Sequence, residues 1–227
     1  MDAFAIRRDR PAGKPFRFRS LALITLLAGM AIVAGCGSGD DPSDLNGMTR
    51  TPPTDVGNVR LPDENPNRAN QSDQLRGNED GLMLVYFGYT FCPDVCPTTL
   101  ADLRLALADL TPEQRDRVEV GMVTVDPERD TGKVLTTYLG HFFETDAFAA
   151  FVPGQPRQLA LAEKAFGASH KLGKPAPDGS YDVDHTAQLY AVDSDGIVRV
   201  EWPFGTDSED IAADLEVLLS ETPAQDS

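Results

Sequence analysis

The sequence predicts an α/β domain in three layers, a mixed central sheet flanked by helices. From Leu82 onward, apolar runs of strand length alternate with amphipathic helical runs. That alternation then closes on an antiparallel hairpin and a final helix, so the sheet cannot be wholly parallel. LMLVYFG (residues 82 to 88) is a continuous apolar run, the pattern of a strand buried on both faces. Pro97 to Leu110 spaces Leu100, Leu103, Leu107 and Leu110 at helical intervals, with Pro97 suited to a first turn. VEVGMVTVD (118 to 126) reads as a second strand, followed by a helix from Thr131 to Phe142. AFAAFV (147 to 152) reads as a third strand, and RQLALAEKAFG as a helix stopped by Gly167. TAQLYAVDSDGIVRVEW alternates and turns at Asp195-Gly196, a hairpin signal, and Asp207 to Leu219 completes the domain as an amphipathic helix.

The folded unit is expected at residues 59–223, about 165 residues, enough for one domain with a real core. What precedes it has another character. Arg7, Arg8, Arg10, Lys14, Arg17 and Arg19 form a basic segment ahead of the apolar run LALITLLAGMAIVA (21 to 34). This is the layout of an export signal over residues 1–35, and the run is shorter than the ~20 residues of a membrane span. Val33-Ala34-Gly35-Cys36 resembles the bacterial lipoprotein box, in which the cysteine becomes the lipid-bearing first residue. An uncleaved signal anchor is the alternative. Both place the domain outside the cytoplasmic membrane of a bacterial cell envelope, held to a membrane. Residues 36–58, rich in Gly, Pro, Asp, Ser and Thr, are expected to be a flexible tether. The segment to Asp80 stays polar and has room for one short hairpin at most.

The chain carries a formal charge of -16, and its first 35 residues hold six basic groups against Asp2 and Asp9. The remainder is therefore near −20, at about −16 less a leader of about +4. Such a surface is repelled by phosphate backbones, which excludes nucleic acid as a partner.

Three cysteines are present. If Cys36 carries lipid, Cys92 and Cys96 remain as thiols at the start of a helical run, where an i, i+4 spacing puts both sulfurs on one face. A disulfide is ordinary in an oxidising compartment, but so small a loop restrains the unfolded chain little. A redox pair and a shared metal ion both stay open. A strand, a Cys-containing turn and a helix in that order are the arrangement of thioredoxin-like proteins.

Three blocks narrow this further. YFGYTFCPDVCPTTL, VDPERDT (125 to 131) and YDVDHTAQLYAVDSDG (181 to 196), in that order, resemble the SCO/SenC family. Its members are membrane-tethered, thioredoxin-fold proteins associated with copper delivery to the binuclear CuA centre of cytochrome c oxidase. The resemblance covers the chain from Leu82 to its end. It implies one copper ion, Cu(I) or Cu(II), held by Cys92, Cys96 and His185, the last at the family's Asp-His-Thr position. It also implies a monomeric metallochaperone rather than an enzyme, with cytochrome c oxidase subunit II or copper-donating chaperones as partners.

The residues themselves agree. Two thiolates and an imidazole make a soft set suited to copper, whereas zinc normally takes a fourth ligand. His185 is expected at the start of the hairpin strand, within reach of the Cys turn. His141 falls near a helix C-terminus, where an imidazole suits the dipole, and His170 lies in the polar run SHKLGKPAPDG, where it is expected to be solvated.

The rival reading makes Cys92 and Cys96 a redox-active pair in a thiol–disulfide oxidoreductase that reduces the CuA cysteines. A redox or copper sensor is a third reading. Thioredoxin-type enzymes have two residues between the cysteines and a cis-proline opposite. Here there are three, Pro93, Asp94 and Val95, and His185 stands before Thr186 in the proline's place. A peroxidatic motif, Pro-x-x-x-Thr/Ser-x-x-Cys, fits neither cysteine. The DPERD run (Asp126 to Asp130) reads equally as a helix cap, through Asp130 or Thr131, and as a docking edge. Trp202 and the phenylalanines read as packing.

Overall fold

An all-apolar strand persists only where both of its faces are covered, and Leu82–Gly88 is buried at every residue. The structure is a computed structural model that describes residues 45–68, 73–144 and 146–221. In chain order these form β1 (Thr54–Asp55), β2 (Leu82–Gly88), α1 (Val95–Asp109), α2 (Pro112–Arg115), β3 (Val118–Thr124), α3 (Gly132–Leu139), β4 (Phe148–Phe151), α4 (Pro156–Phe166), β5 (His170–Leu172), β6 (Val183–His185), β7 (Gln188–Val192), β8 (Ile197–Pro203) and α5 (Ser208–Glu221). The expected signal segment 1–35, Cys36 and the first part of the tether lie outside the described residues. Among the described residues no helix is long and apolar enough to cross a membrane.

The main sheet has the order β1-β8-β7-β2-β3-β4. Strands β2, β3 and β4 are parallel, and β7, β8 and β1 join antiparallel. This is the mixed sheet the alternation predicts. Successive side chains of a strand face opposite ways, so Tyr86 and Phe87 report on the two faces. The Tyr86 hydroxyl meets Cys96 of α1, while Phe87 packs on Phe166 of α4 at 5.3 Å between ring centroids. Helices α1 and α4 therefore cover opposite faces, giving the three layers. The β7–β8 turn uses Gly196 at φ 83, with the Asp193 carboxylate accepting from Asp195 and Ile197 N–H.

Four expectations need correction. First, the tether does not run free to Asn58. The Asp214 carboxylate of α5 accepts from the N–H groups of Asn46 (2.7 Å) and Gly47 (2.8 Å), and Arg50 pairs with Glu201 of β8. Thr54–Asp55 adds an edge strand to β8, and Val56 is buried. A polar segment binds here through its backbone N–H groups, which composition does not reveal. The stretch after it makes isolated bridges, Arg60 with Gln74 and Asp63 with Phe151, and buries Leu61 and Leu75.

Second, α1 starts at Val95 rather than Pro97, taking Cys96 into its first turn. The Asp94 side chain makes no capping bond, and the Cys96 N–H instead donates to Cys92 Sγ at 3.3 Å. Third, α3 ends at Leu139, capped by Gly140. The helix is thus three residues shorter than the expected end at Phe142, and His141 stands just past its C-terminus, its N–H donating to the Tyr138 carbonyl.

Fourth, SHKLGKPAPDG is not an open loop. His170–Leu172 pairs antiparallel with Val183–His185 as a separate two-stranded ribbon, with His170 opposite His185. His170 is also not free in solvent, since its Nδ1 lies 2.5 Å from Glu163 Oε1 on α4. One short helix, α2, is not among the expected elements, although its Thr111/Gln114 capping box can be read in TPEQ.

Candidate metal centre

The site forms where β2 ends. Parallel β2 and β3 both finish at this end of the sheet, and β7, antiparallel to β2, begins there. The chain between Gly88 and Val95 carries Cys92. The ribbon strand β6 ends on His185, three residues before β7 starts. His185 thus reaches the cysteines from the ribbon and not, as expected, from the first residue of the hairpin strand.

Sγ of Cys92, Sγ of Cys96 and a ring nitrogen of His185 lie within 4.8 Å of one another. Cys96 Sγ stands 3.4 Å from His185 Nε2. His185 Nδ1 faces the Thr186 carbonyl at 3.1 Å; a carbonyl only accepts, so Nδ1–H donates there, and Nε2 is the ring nitrogen turned to the sulfurs. Tyr86 and Tyr89 set their rings edge-on to the imidazole, at 6.1 and 5.7 Å between centroids. These contacts hold the ring in one plane.

The two thiols are not equivalent. Cys96 is buried on the first turn of α1, and Cys92 is partly exposed. The hydrogen bond from the Cys96 thiol, then the N–H groups of Cys96 and Asp94 and the His185 ring, pull the Cys92 pKa down to about 4 against the cost of its burial. The same interaction, together with burial, holds Cys96 protonated well above the ordinary thiol range. The pair shares one proton at neutral pH, and it sits on Cys96. Burial and the adjacent Cys96 also keep the Tyr86 phenol protonated, so its O–H donates to Cys96 Sγ at 3.6 Å.

The DPERD run lies against this site, at the end of β3. Thr131 is the N-cap of α3, accepting from Val134 N–H. Asp130 does not cap that helix. Buried, it accepts from Thr90 N–H (3.0 Å), Thr90 Oγ1 (2.5 Å) and Thr124 Oγ1 (2.7 Å). These bonds tie the Cys loop to the end of β3. Asp126 is also buried and accepts from Tyr181 Oη at 2.9 Å and from Arg129. Tyr86, Tyr89 and Tyr181 are site residues that sequence reasoning missed, and the DPERD run, read as a helix cap or a docking edge, brings Asp126 and Arg129 to the site. The one signal for them is the position of DPERD directly after a strand that ends on the Cys face. His141 and His170 are not part of the cluster. Trp202 is buried packing, its Nε1–H donating to Asp214.

Fold and site together define a thioredoxin-like domain with a soft Cys-Cys-His metal-binding cluster at the end of its central strand. The chain belongs to the SCO1/SenC family, whose model matches residues 54–220. It is 34% identical over 140 residues to an SCO2-like protein of Rickettsia felis, a match covering 62% of this chain and 65% of that protein. Together with a Stutzerimonas stutzeri relative covered over 55% of its length, this means the chain spans less than two thirds of the curated relatives it matches first. Among solved structures, apo Sco1 of Thermus thermophilus is similar at a TM-score of 0.63 and 31% identity, covering 77% of this chain and 96% of that one. ScoI of Bradyrhizobium japonicum, determined with copper bound, is similar at 0.58 and 32%, covering 73% and 97%.

Proposed function

We propose that this chain is a copper metallochaperone, lipid-anchored through Cys36, that carries one copper ion on Cys92, Cys96 and His185 and passes it to the CuA site of cytochrome c oxidase subunit II. The observation that carries the copper part is the convergence of the three donor atoms within 4.8 Å, with Nε2 turned to the sulfurs. Family membership and the copper-bound relative favour copper over other soft cations. Partial exposure of Cys92 leaves a side from which incoming thiolates can replace the ligands one at a time. Copper then moves by ligand exchange and is never free. The oxidase partner and the lipid rest on the family resemblance and on the Val-Ala-Gly-Cys box.

Reduced protein should take up one Cu(I), and with Cu(II) should show a thiolate charge-transfer band that Cys92→Ser abolishes. His185→Ala should weaken copper binding by about 10-fold or more. Failure of fully reduced protein to take up copper sinks the reading. Delivery is tested by mixing loaded protein with an apo CuA domain and watching the CuA spectrum develop.

One observation favours a second reading, a reductase of the CuA cysteines: the low pKa of Cys92 beside a protonated Cys96. Cys92 thiolate would attack a partner disulfide, releasing one partner thiolate. Cys96 would lose its proton and attack Cys92 Sγ, releasing the second. Two electrons pass to the partner, and Cys92–Cys96 becomes the disulfide. A His185→Ala protein that holds no copper yet still reduces an oxidised CuA domain would favour this reading.

A further inference from the structure

The ligand set comes from two pieces of chain that share no strand pairing, the Cys loop and the β5–β6 ribbon. Something must hold them at coordinating distance. The Arg129 guanidinium lies between them. It sits over the Tyr181 ring at 3.7 Å, the Phe91 ring at 4.9 Å and the Tyr89 ring at 5.8 Å from each centroid. Its Nη1 donates to the Tyr181 carbonyl at 3.0 Å, and its Nε donates to Asp126. Asp126 in turn takes the Tyr181 hydroxyl, so acid, base and ring form a closed triangle. Phe91 directly precedes Cys92. Tyr181 begins the chain that runs through Val183 to His185, and Tyr89 Oη accepts from Val183 N–H. Arg129 Nη2 is buried without a hydrogen-bond partner among the described residues. A guanidinium kept there at the cost of an unmet donor is poorly explained as a simple contribution to stability.

We propose that Arg129, oriented by Asp126, is a positioning residue of the metal site, joining the His185 ribbon to the Cys loop so that the imidazole stands within reach of both sulfurs. This rests on the reading of Cys92, Cys96 and His185 as metal ligands. The guanidinium touches none of the three; it acts through the rings and carbonyl that flank them.

The test uses Arg129→Gln in the full chain. In reduced, metal-free protein, amide exchange at residues 183–186 should quicken by about tenfold while β2 and β3 amides keep their rates. Copper affinity should fall by about 10- to 100-fold, and the imidazole nitrogen signature in the Cu(II) spin-resonance spectrum should weaken. Adding His185→Ala should cost no more than His185→Ala alone, because both changes remove one interaction. Unchanged ribbon exchange, or additive losses in the double variant, would overturn the proposal. Where Arg129→Gln fails to fold, Tyr181→Leu removes the same stack and carries the same expectations. A wild-type protein that takes up no copper refutes the ligand reading instead, and the metal-free exchange measurement still decides whether Arg129 holds the ribbon.

Discussion

Copper binding should release one proton per ion at pH 7 to 8, and that proton comes from Cys96. At these pH values Cys92, with its pKa near 4, is already a thiolate, and Cys96 holds the shared proton. The proton on His185 Nδ1 points at the Thr186 carbonyl, away from the sulfurs, and stays on the ring when Nε2 ligates. Forming a bond to Cys96 therefore displaces one H⁺, and copper affinity should rise tenfold per pH unit, about 1.4 kcal/mol, across this range. The sign follows from competition: a proton bound in the free protein and lost in the complex favours the complex as pH rises. As pH falls toward about 4, Cys92 protonates too and the dependence steepens toward two protons. The assay is calorimetric titration with Cu(I) in buffers of different ionisation enthalpy, where the slope of observed enthalpy counts protons. A release near two at pH 7.5 would refute the shared-proton geometry, and a release near zero would mean that Cys96 does not ligate.

Gly88 ends β2 beneath the site, and a β-carbon there would stand 2.9 Å from Cys96 Sγ and 2.7 Å from Tyr86 Cε1. Gly88→Ala should cost about 1–3 kcal/mol in chemical denaturation and weaken copper uptake together, and normal uptake would show that Cys96 can yield without consequence. Asp214 accepts two backbone N–H bonds from the incoming segment and one from Trp202. Asp214→Ala should cost about 3 kcal/mol in urea denaturation and expose residues 45–58 to protease, and unchanged protection there would place the holding force elsewhere.

The helices and strands from Leu82 onward were legible because each keeps one period over its length. The cluster of Cys92, Cys96 and His185 that the structure brings together was named in advance, the cysteines from their spacing and His185 through the family's Asp-His-Thr run. What lay beyond the sequence has a common cause: contacts between segments far apart in the chain. The strap of residues 45–58 is polar and binds by backbone N–H groups to a carboxylate on the last helix. The ribbon strand His170–Leu172 is short and carries no apolar alternation, so only its partner Val183–His185 makes it a strand.

By itself the sequence determined a mixed α/β domain and two thiols at a strand end, while the choice of His185 among three histidines leaned on the family resemblance. The domain and the thiols follow from local period and from scarce, reactive residue types. The tertiary structure alone decided that Cys96 is buried and Cys92 partly exposed, that His185 arrives on a ribbon, that Asp126 and Arg129 stand between Cys loop and ribbon, and that Asp130 ties the Cys loop to β3. These depend on burial and on distances across the fold, and no spacing along the chain encodes either.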